Sequence, residues 1–169
     1  VTLVNWLATL LVTPHSLPRM DFSAGIAPAA RTLVVVPTML ASARNVEDLV
    51  EALEVRFLAN RDTHLHFGLL TDFPDAREES LPTDALLLQL AASGIRELNR
   101  KYGCVEHSLE TENCTVNDGD TGDSTKASVF YLFHRPRRWN AEARTWMGRE
   151  RKRGKLGDLN AFLRGGHPD

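Results

Sequence analysis

Two spacings of apolar residues alternate along the chain. Short unbroken runs, Thr32-Leu-Val-Val-Val-Pro37, His66-Phe-Gly-Leu-Leu-Thr71 and Val129-Phe-Tyr-Leu-Phe133, each give way to a longer segment in which apolar positions recur every three or four residues. Continuous runs of this length predict strands buried on both faces, as in a parallel sheet. Pro37 is expected to end the first. After it, Val46, Leu49, Val50, Leu53 and Phe57 fall on one face of a helix, for which Asn45 is the expected N-cap and Glu47 and Asp48 the first turn. Leu87, Ala91, Ile95, Leu98 and Tyr102 predict a second helix, started near Thr83 and weakened by Gly94. Leu156, Leu159 and Leu163 predict a third, amphipathic helix entered through a cationic turn. The order strand, helix, strand, helix, strand, helix predicts an α/β fold: a mostly parallel, doubly wound sheet with helices on both faces.

Three stretches stand outside this alternation. VTLVNWLATLLV (1–12) is apolar almost throughout, yet shorter than the roughly 20 residues that span a bilayer. Two readings stay open for it: a buried helix with Thr2, Asn5 and Thr9 on one stripe, or the end of a transmembrane helix. It has no basic leader and no small-residue cleavage site, so it does not read as a signal peptide. Residues 13–30 form a Pro-punctuated connector. Residues 103–126 are polar and long enough to be an excursion from a compact domain.

Composition fits one soluble domain, or a large part of one: 43% of the 169 residues are hydrophobic and 25% charged. The net charge of −2 conceals an uneven spread. Residues 131–165 hold ten of the twenty Lys and Arg against three acids, whereas 103–126 hold six acids against one Lys. A basic face and an acidic loop are therefore expected. The two cysteines, Cys104 and Cys114, do not make a disulfide framework, which favours a reducing compartment. The Asn113-Cys-Thr115 acceptor pattern is of a kind that arises by chance.

Ligands of doubly wound sheets sit beyond the carboxyl ends of the strands. That rule singles out Pro37 and Thr38, then Asp72 and Asp75, then His134 to Arg138. Asp72 reads either as an acceptor for a ligand base or ribose, which the strand-end rule favours, or as a helix-capping or turn carboxylate before Pro74; Asp75 reads as a turn residue. Five cations (Arg149, Arg151, Lys152, Arg153, Lys155) crowd ahead of the last apolar spacing, and an anion near Lys155 is expected there. Neither G-x-G-x-x-G nor G-x-x-x-x-G-K-[ST] occurs. Asp118, Asp120 and Asp123 read as a solvated acidic loop more readily than as a metal site. His64 and His66 share a strand face without a third ligand for zinc. The basic segment from Arg135 to Arg153, interleaved with Trp139 and Trp146, reads either as a nucleic-acid track or as a solvated basic face.

Gly154-Lys-Leu-Gly-Asp-Leu-Asn160 resembles the GK-x-x-x-LN segment of processive family 2-type inverting glycosyltransferases of the GT-A fold. FSAGI (22–26), RTLVVVPTML (31–40), VEALEVRFLANRD (50–62), HFGLLTDFPDA (66–76) and FHRPRRWN…WMGRERKRGKLGDLN resemble the glycosyltransferase region of bacterial cyclic β-1,2-glucan synthases, over about residues 20–165. The resemblance implies a partial GT-A (Rossmann-like) domain, its N-terminal nucleotide-binding half, over residues 21–169. A membrane-proximal apolar segment and connector over 1–20 would precede it. It implies transfer of glucose from UDP-glucose to the 2-hydroxyl of a growing β-1,2-glucan, with a divalent cation (Mg or Mn) in the full-length enzyme. Pro37 and Thr38 would line the nucleotide pocket, Asp72 would hold the uridine, and Lys155 would lie near the diphosphate.

The partners implied are the glucan acceptor, the rest of the synthase polypeptide and the bacterial inner membrane, with this domain facing the cytoplasm. Nucleic acid is not among them. GT-A enzymes carry the metal-binding D-x-D and the catalytic base beyond this helix. No catalytic or metal-binding residue is therefore assigned, and the 169-residue chain alone is expected to be inactive. The competing expectation is a non-enzymatic module that binds nucleic acid or anionic lipid through the basic 135–155 segment.

Overall fold

The computed structural model describes residues 2–11, 22–23, 25–103 and 128–166. Its elements are α1 (Thr2–Leu11), β1 (Thr32–Met39), α2 (Ala43–Ala59), β2 (Leu65–Asp72), α3 (Asp84–Tyr102), β3 (Phe130–His134), β4 (Arg138–Asn140), β5 (Thr145–Met147) and α4 (Arg151–Leu163), with a short 3-10 turn at Pro28–Ala30. β1, β2 and β3 form a parallel sheet in that order, in register from Thr32↔Leu65 to Met39↔Asp72 and from Phe67↔Phe130 to Thr71↔His134. Successive right-handed crossovers in one direction place both connecting helices on the same face. There α2 and α3 bury Leu53, Phe57, Ile95 and Leu98 against Phe67, Leu69 and Phe130. Phe57 is the hub, with Phe67, Tyr102 and Phe130 ring centroids 6.1, 4.9 and 5.1 Å away. The other face meets α4, whose Phe162 lies 6.5 Å from Phe133. The result is a small parallel sheet flanked by helices, consistent with a partial Rossmann-like fold.

Several local expectations are corrected. β1 runs two residues past Pro37, because β1 lies at an edge of the described sheet, where a missing N–H is tolerated. For the same reason β1 is not buried on both faces: Val34 and Met39 are exposed, while β2, the central strand, is buried from Phe67 to Asp72. The N-cap of α2 is Ser42, not Asn45. Ser42 Oγ accepts from the Asn45 N–H at 3.2 Å, and Asn45 Oδ1 accepts from the Ala41 N–H at 3.2 Å, a reciprocal arrangement related to a capping box. Glu47 and Asp48 consequently fall beyond the first turn. Gly94 does more than weaken α3: a Cβ there would stand 2.7 Å from Val50 Cγ2, so the glycine is what lets α2 and α3 approach. The buried-helix reading of the amino-terminal segment fails among the described residues, since Leu3, Val4, Trp6, Leu7, Leu10 and Leu11 of α1 are exposed. Among the described residues no helix is long and apolar enough to cross a membrane.

Two features had no counterpart in the hydrophobic pattern. Asn99 of α3 clamps the start of β3: its amide donates to the Phe130 carbonyl at 2.8 Å and accepts from the Val129 and Phe130 N–H groups at 3.1 and 2.9 Å. The β4–β5 hairpin pairs Trp139 with Trp146, edge to face at 5.8 Å, and docks on the loop after β2 through paired backbone bonds between Ala76 and Trp146. Cys104, Cys114, Asn113, Asp118, Asp120 and Asp123 lie outside the described residues.

Candidate functional site

The register brings the carboxyl ends of the three strands to one level. Beyond them lies a cleft of about 260 Å³, and Pro37, Thr38, Asp72 and Lys155 all line it, with Gly148 and Lys152 at its α4 side. Residues separated by up to 118 positions in the chain thus meet in one concavity at the strand ends. Phe73, which also lines it, belongs to a second apolar cluster with Leu40, Val46 and Ala91.

The centre of the cleft is an ionic network. Asp72 is 3% exposed and Lys155 4%. Lys155 Nζ donates to Asp72 Oδ1 at 2.9 Å and to the Thr38 carbonyl at 2.6 Å, tying α4 to the ends of β1 and β2. Arg135, just past β3, stands 3.5 Å from Asp72 Oδ2 and donates to Asp158 Oδ2 at 2.8 Å. Ion pairs this far from water survive only when each charge is matched, because the desolvation of an unmatched one is not repaid. Gly148 makes the packing possible: a Cβ there would collide with Asp72 Oδ2.

α4 therefore differs from its expected form. The cationic run belongs to the helix itself, which starts at Arg151 after a left-handed Glu150 (φ 50°). Lys155 sits in the second turn, engaged by Asp72 and Thr38, not presented at a free helix end. The apolar stripe is also displaced: Leu156 and Leu163 are exposed, and the buried positions are Lys155 and Leu159.

The remaining strand-end residues are mostly structural. Arg137 is 3% exposed; its guanidinium binds both oxygens of Asp84 and the carbonyls of Pro74 and Glu79, and it lies 5.0 Å from the Phe73 ring. Burial alone would raise the Asp84 carboxyl. The Arg137 bonds and the Leu81 N–H outweigh it and hold the carboxyl below the usual aspartate range. Burial likewise pushes the His134 imidazole below its ordinary value, against the opposing pull of Asp72 and Asp84. The Thr71 hydroxyl donates to the Phe133 carbonyl and faces His134 Nδ1 at 3.0 Å, so Nδ1 carries the proton of the neutral ring. Asp75, expected as a turn residue, pairs with Arg151 at 2.7 Å on the rim. Sequence reasoning placed Arg135 and Arg137 among the strand-end ligand positions and in the basic segment, not in internal ion pairs, and gave Asp84 no role. A buried arginine in a run of arginines carries no local mark, and only the pairing of acids and bases across elements could have found it.

Among the described residues no group of three or more His, Cys, Asp or Glu could hold a metal ion. His66 instead packs against Tyr131 and meets the Ser128 carbonyl at 3.2 Å. The basic 135–155 segment is likewise partly consumed, with Arg135, Arg137 and Lys155 committed to internal ion pairs.

No known protein-family profile matches the chain. Among curated proteins, it is 39% identical over 163 residues to the cyclic beta-(1,2)-glucan synthase NdvB of Rhizobium meliloti (strain 1021). The alignment takes in 96% of this chain and 5% of that relative, so the chain is similar to one short stretch of a far longer protein.

Proposed function

We propose that residues 21–169 are the nucleotide-binding half of a GT-A-type inverting glucosyltransferase within a membrane-bound cyclic β-1,2-glucan synthase. Residues 1–20 are its membrane-proximal segment and connector. The donor is UDP-glucose and the acceptor the 2-hydroxyl of a growing β-1,2-glucan; the domain faces the cytoplasm from the bacterial inner membrane. The observation that carries the reading is the convergence of Pro37, Thr38, Asp72 and Lys155 on one cleft at the strand ends. The likeness to a stretch of a cyclic glucan synthase supports the same class.

In this reading Pro37 and Thr38 form the wall against the base, and Asp72 offers its free acceptor positions to the uridine. Lys152, which has no partner among the described residues, stands with Lys155 on the diphosphate side. The divalent cation of the reaction would stabilise the leaving diphosphate, but the described carboxylates do not fit it. Asp72 is held by Lys155 and Arg135, and Asp75 by Arg151. In this reading, as the family resemblance implies, the metal ligands and the catalytic base come from other parts of the synthase polypeptide, and the 169-residue chain binds donor without transferring glucose.

Titration calorimetry with UDP, UDP-glucose and uridine tests this. UDP is expected to bind, Asp72→Asn to weaken all three ligands about tenfold or more, and Lys152→Ala to weaken UDP while sparing uridine. Asp72→Asn keeps the side-chain shape and an acceptor for Lys155, and far-UV circular dichroism verifies its fold. UDP affinity unchanged in Asp72→Asn would refute the site.

A further inference from the structure

α4 has a second concave side. Arg151, Lys152 and Lys155 face the first cleft, whereas Arg153, Gly154, Gly157 and Ala161 line another, of about 350 Å³. The two share no lining residue. Arg135, Arg138, Arg149 and Arg153 converge on the second cleft, against two carboxylates, Glu150 and Asp158. Asp158 is already bound by Arg135 at 2.8 Å, and Glu150 stands 3.7 Å from Arg153 Nε, beyond hydrogen-bond length. Arg138 and Arg149 have no partner among the described residues, and Arg135 Nε is buried without an acceptor. The surplus is positive, concave and unanswered by the fold.

The floor adds an independent sign. Gly154 is required by packing, since a Cβ there would collide with the Arg149 carbonyl. Gly157 is not: a Cβ on it would meet nothing within 4 Å. A helical glycine with no packing cause is unfavourable relative to alanine, and bare backbone beside a charged cluster is what a closely approaching ligand uses.

The geometry points to a second binding site, for a phosphate group, between α4 and the segment from Arg135 to Arg138. Guanidiniums suit phosphate because their N–H pairs match its oxygens two at a time. A half-open cleft of about 350 Å³ takes a small phosphate compound, where an extended nucleic-acid backbone would need a longer stripe. The site goes beyond the nucleotide reading and does not depend on it. Its phosphate is either a free phosphate compound or a lipid headgroup, which share the same chemistry.

The test uses the 169-residue chain in two arms: calorimetry with pyrophosphate at fixed ionic strength, and co-sedimentation with phosphatidylcholine vesicles containing phosphatidic acid. Binding is expected in at least one arm. It should fall at least about tenfold in the Arg138→Ala/Arg149→Ala variant, whose two side chains are exposed and make no contact the fold needs. Gly157→Leu, which fills the floor, should weaken it several-fold. The Arg31→Ala/Arg44→Ala control removes the same charge elsewhere and should change nothing. Pyrophosphate binding alone assigns a free compound, and vesicle binding alone assigns a headgroup. Absence of binding in both arms, or equal loss in the control, overturns the site. UDP affinity in Arg138→Ala/Arg149→Ala is expected to stay at the wild-type value, which keeps failure here separate from failure of the nucleotide cleft.

Discussion

The two faces of the sheet hold their helices by different physics. On one, α2 and α3 are fixed by an apolar cluster around Phe57, closed by aromatic edges and by the Gly94 notch. On the other, α4 buries only Lys155 and Leu159 fully, and its attachment runs through Lys155, Asp72, Arg135 and Asp158. Apolar packing is additive and indifferent to partner identity, so it tolerates repacking of similar volume. An ionic attachment is conditional: each charge is stabilising only while its counter-charge stays. The first face is a scaffold; the second can respond to what enters the cleft.

The sharpest way to break this contrast is to remove one group from each face. Phe57→Ala and Lys155→Met should each cost about 3–5 kcal/mol in urea unfolding, the first through a cavity and the second through the stranded Asp72 charge. The difference lies in rescue. Lys155→Met/Asp72→Leu should recover much of the loss, giving a strongly non-additive cycle, whereas no second change at a neighbour of Phe57 restores its volume as simply. Equal, additive losses on both sides would erase the distinction.

Substitution at two glycines probes the same contrast more gently. Gly94→Ala forces a methyl against Val50 and should destabilise by about 1–3 kcal/mol. Gly157→Ala adds a methyl into open space and should stabilise by about 0.5–1 kcal/mol, read as a rise in melting temperature.

Acid should act on the strand-end side first. His134 has a folded pKa below its unfolded value, so the unfolded chain takes up the proton at higher pH. The stability from neutral His134 is complete above about pH 6.5 and declines as pH falls through that value. Asp84, also depressed, contributes stability present above its unfolded pKa near 4 and lost as pH falls through the lower folded value. A melting-temperature profile should therefore fall in two stages, and His134→Gln should remove the upper one alone.

The same contrast explains what the chain disclosed beforehand. Apolar periodicity is a local signal, so the strand–helix order and the face of α2 that carries Val46, Leu53 and Phe57 were readable from short windows. The pairing of Lys155 with Asp72 spans 83 positions, and nothing local tells a buried lysine from a solvated one. Hence the cations of 149–155 were expected to stand together as an anion site, although Lys155 is neutralised within the fold and Arg149 is left unpaired. The β4–β5 hairpin escaped because three-residue strands are too short for alternation to register. The helix stripe Leu156, Leu159, Leu163 misled because an apolar spacing names a face without naming what covers it; only Leu159 found cover.

The contact between Lys155 and Asp72 also sets the character of any anion binding in the first cleft. A phosphate drawn to Lys155 must share an ammonium already bound to a carboxylate 2.9 Å away, so recognition there is a competition between anions, not the filling of a vacancy. Competition favours ligands that answer both charges of the pair, with an acceptor for the ammonium and a donor for the carboxylate. A nucleoside diphosphate carries both on one molecule, and inorganic phosphate carries chiefly the first. Discrimination between them would then follow from an internal competitor that any incoming ligand has to accommodate.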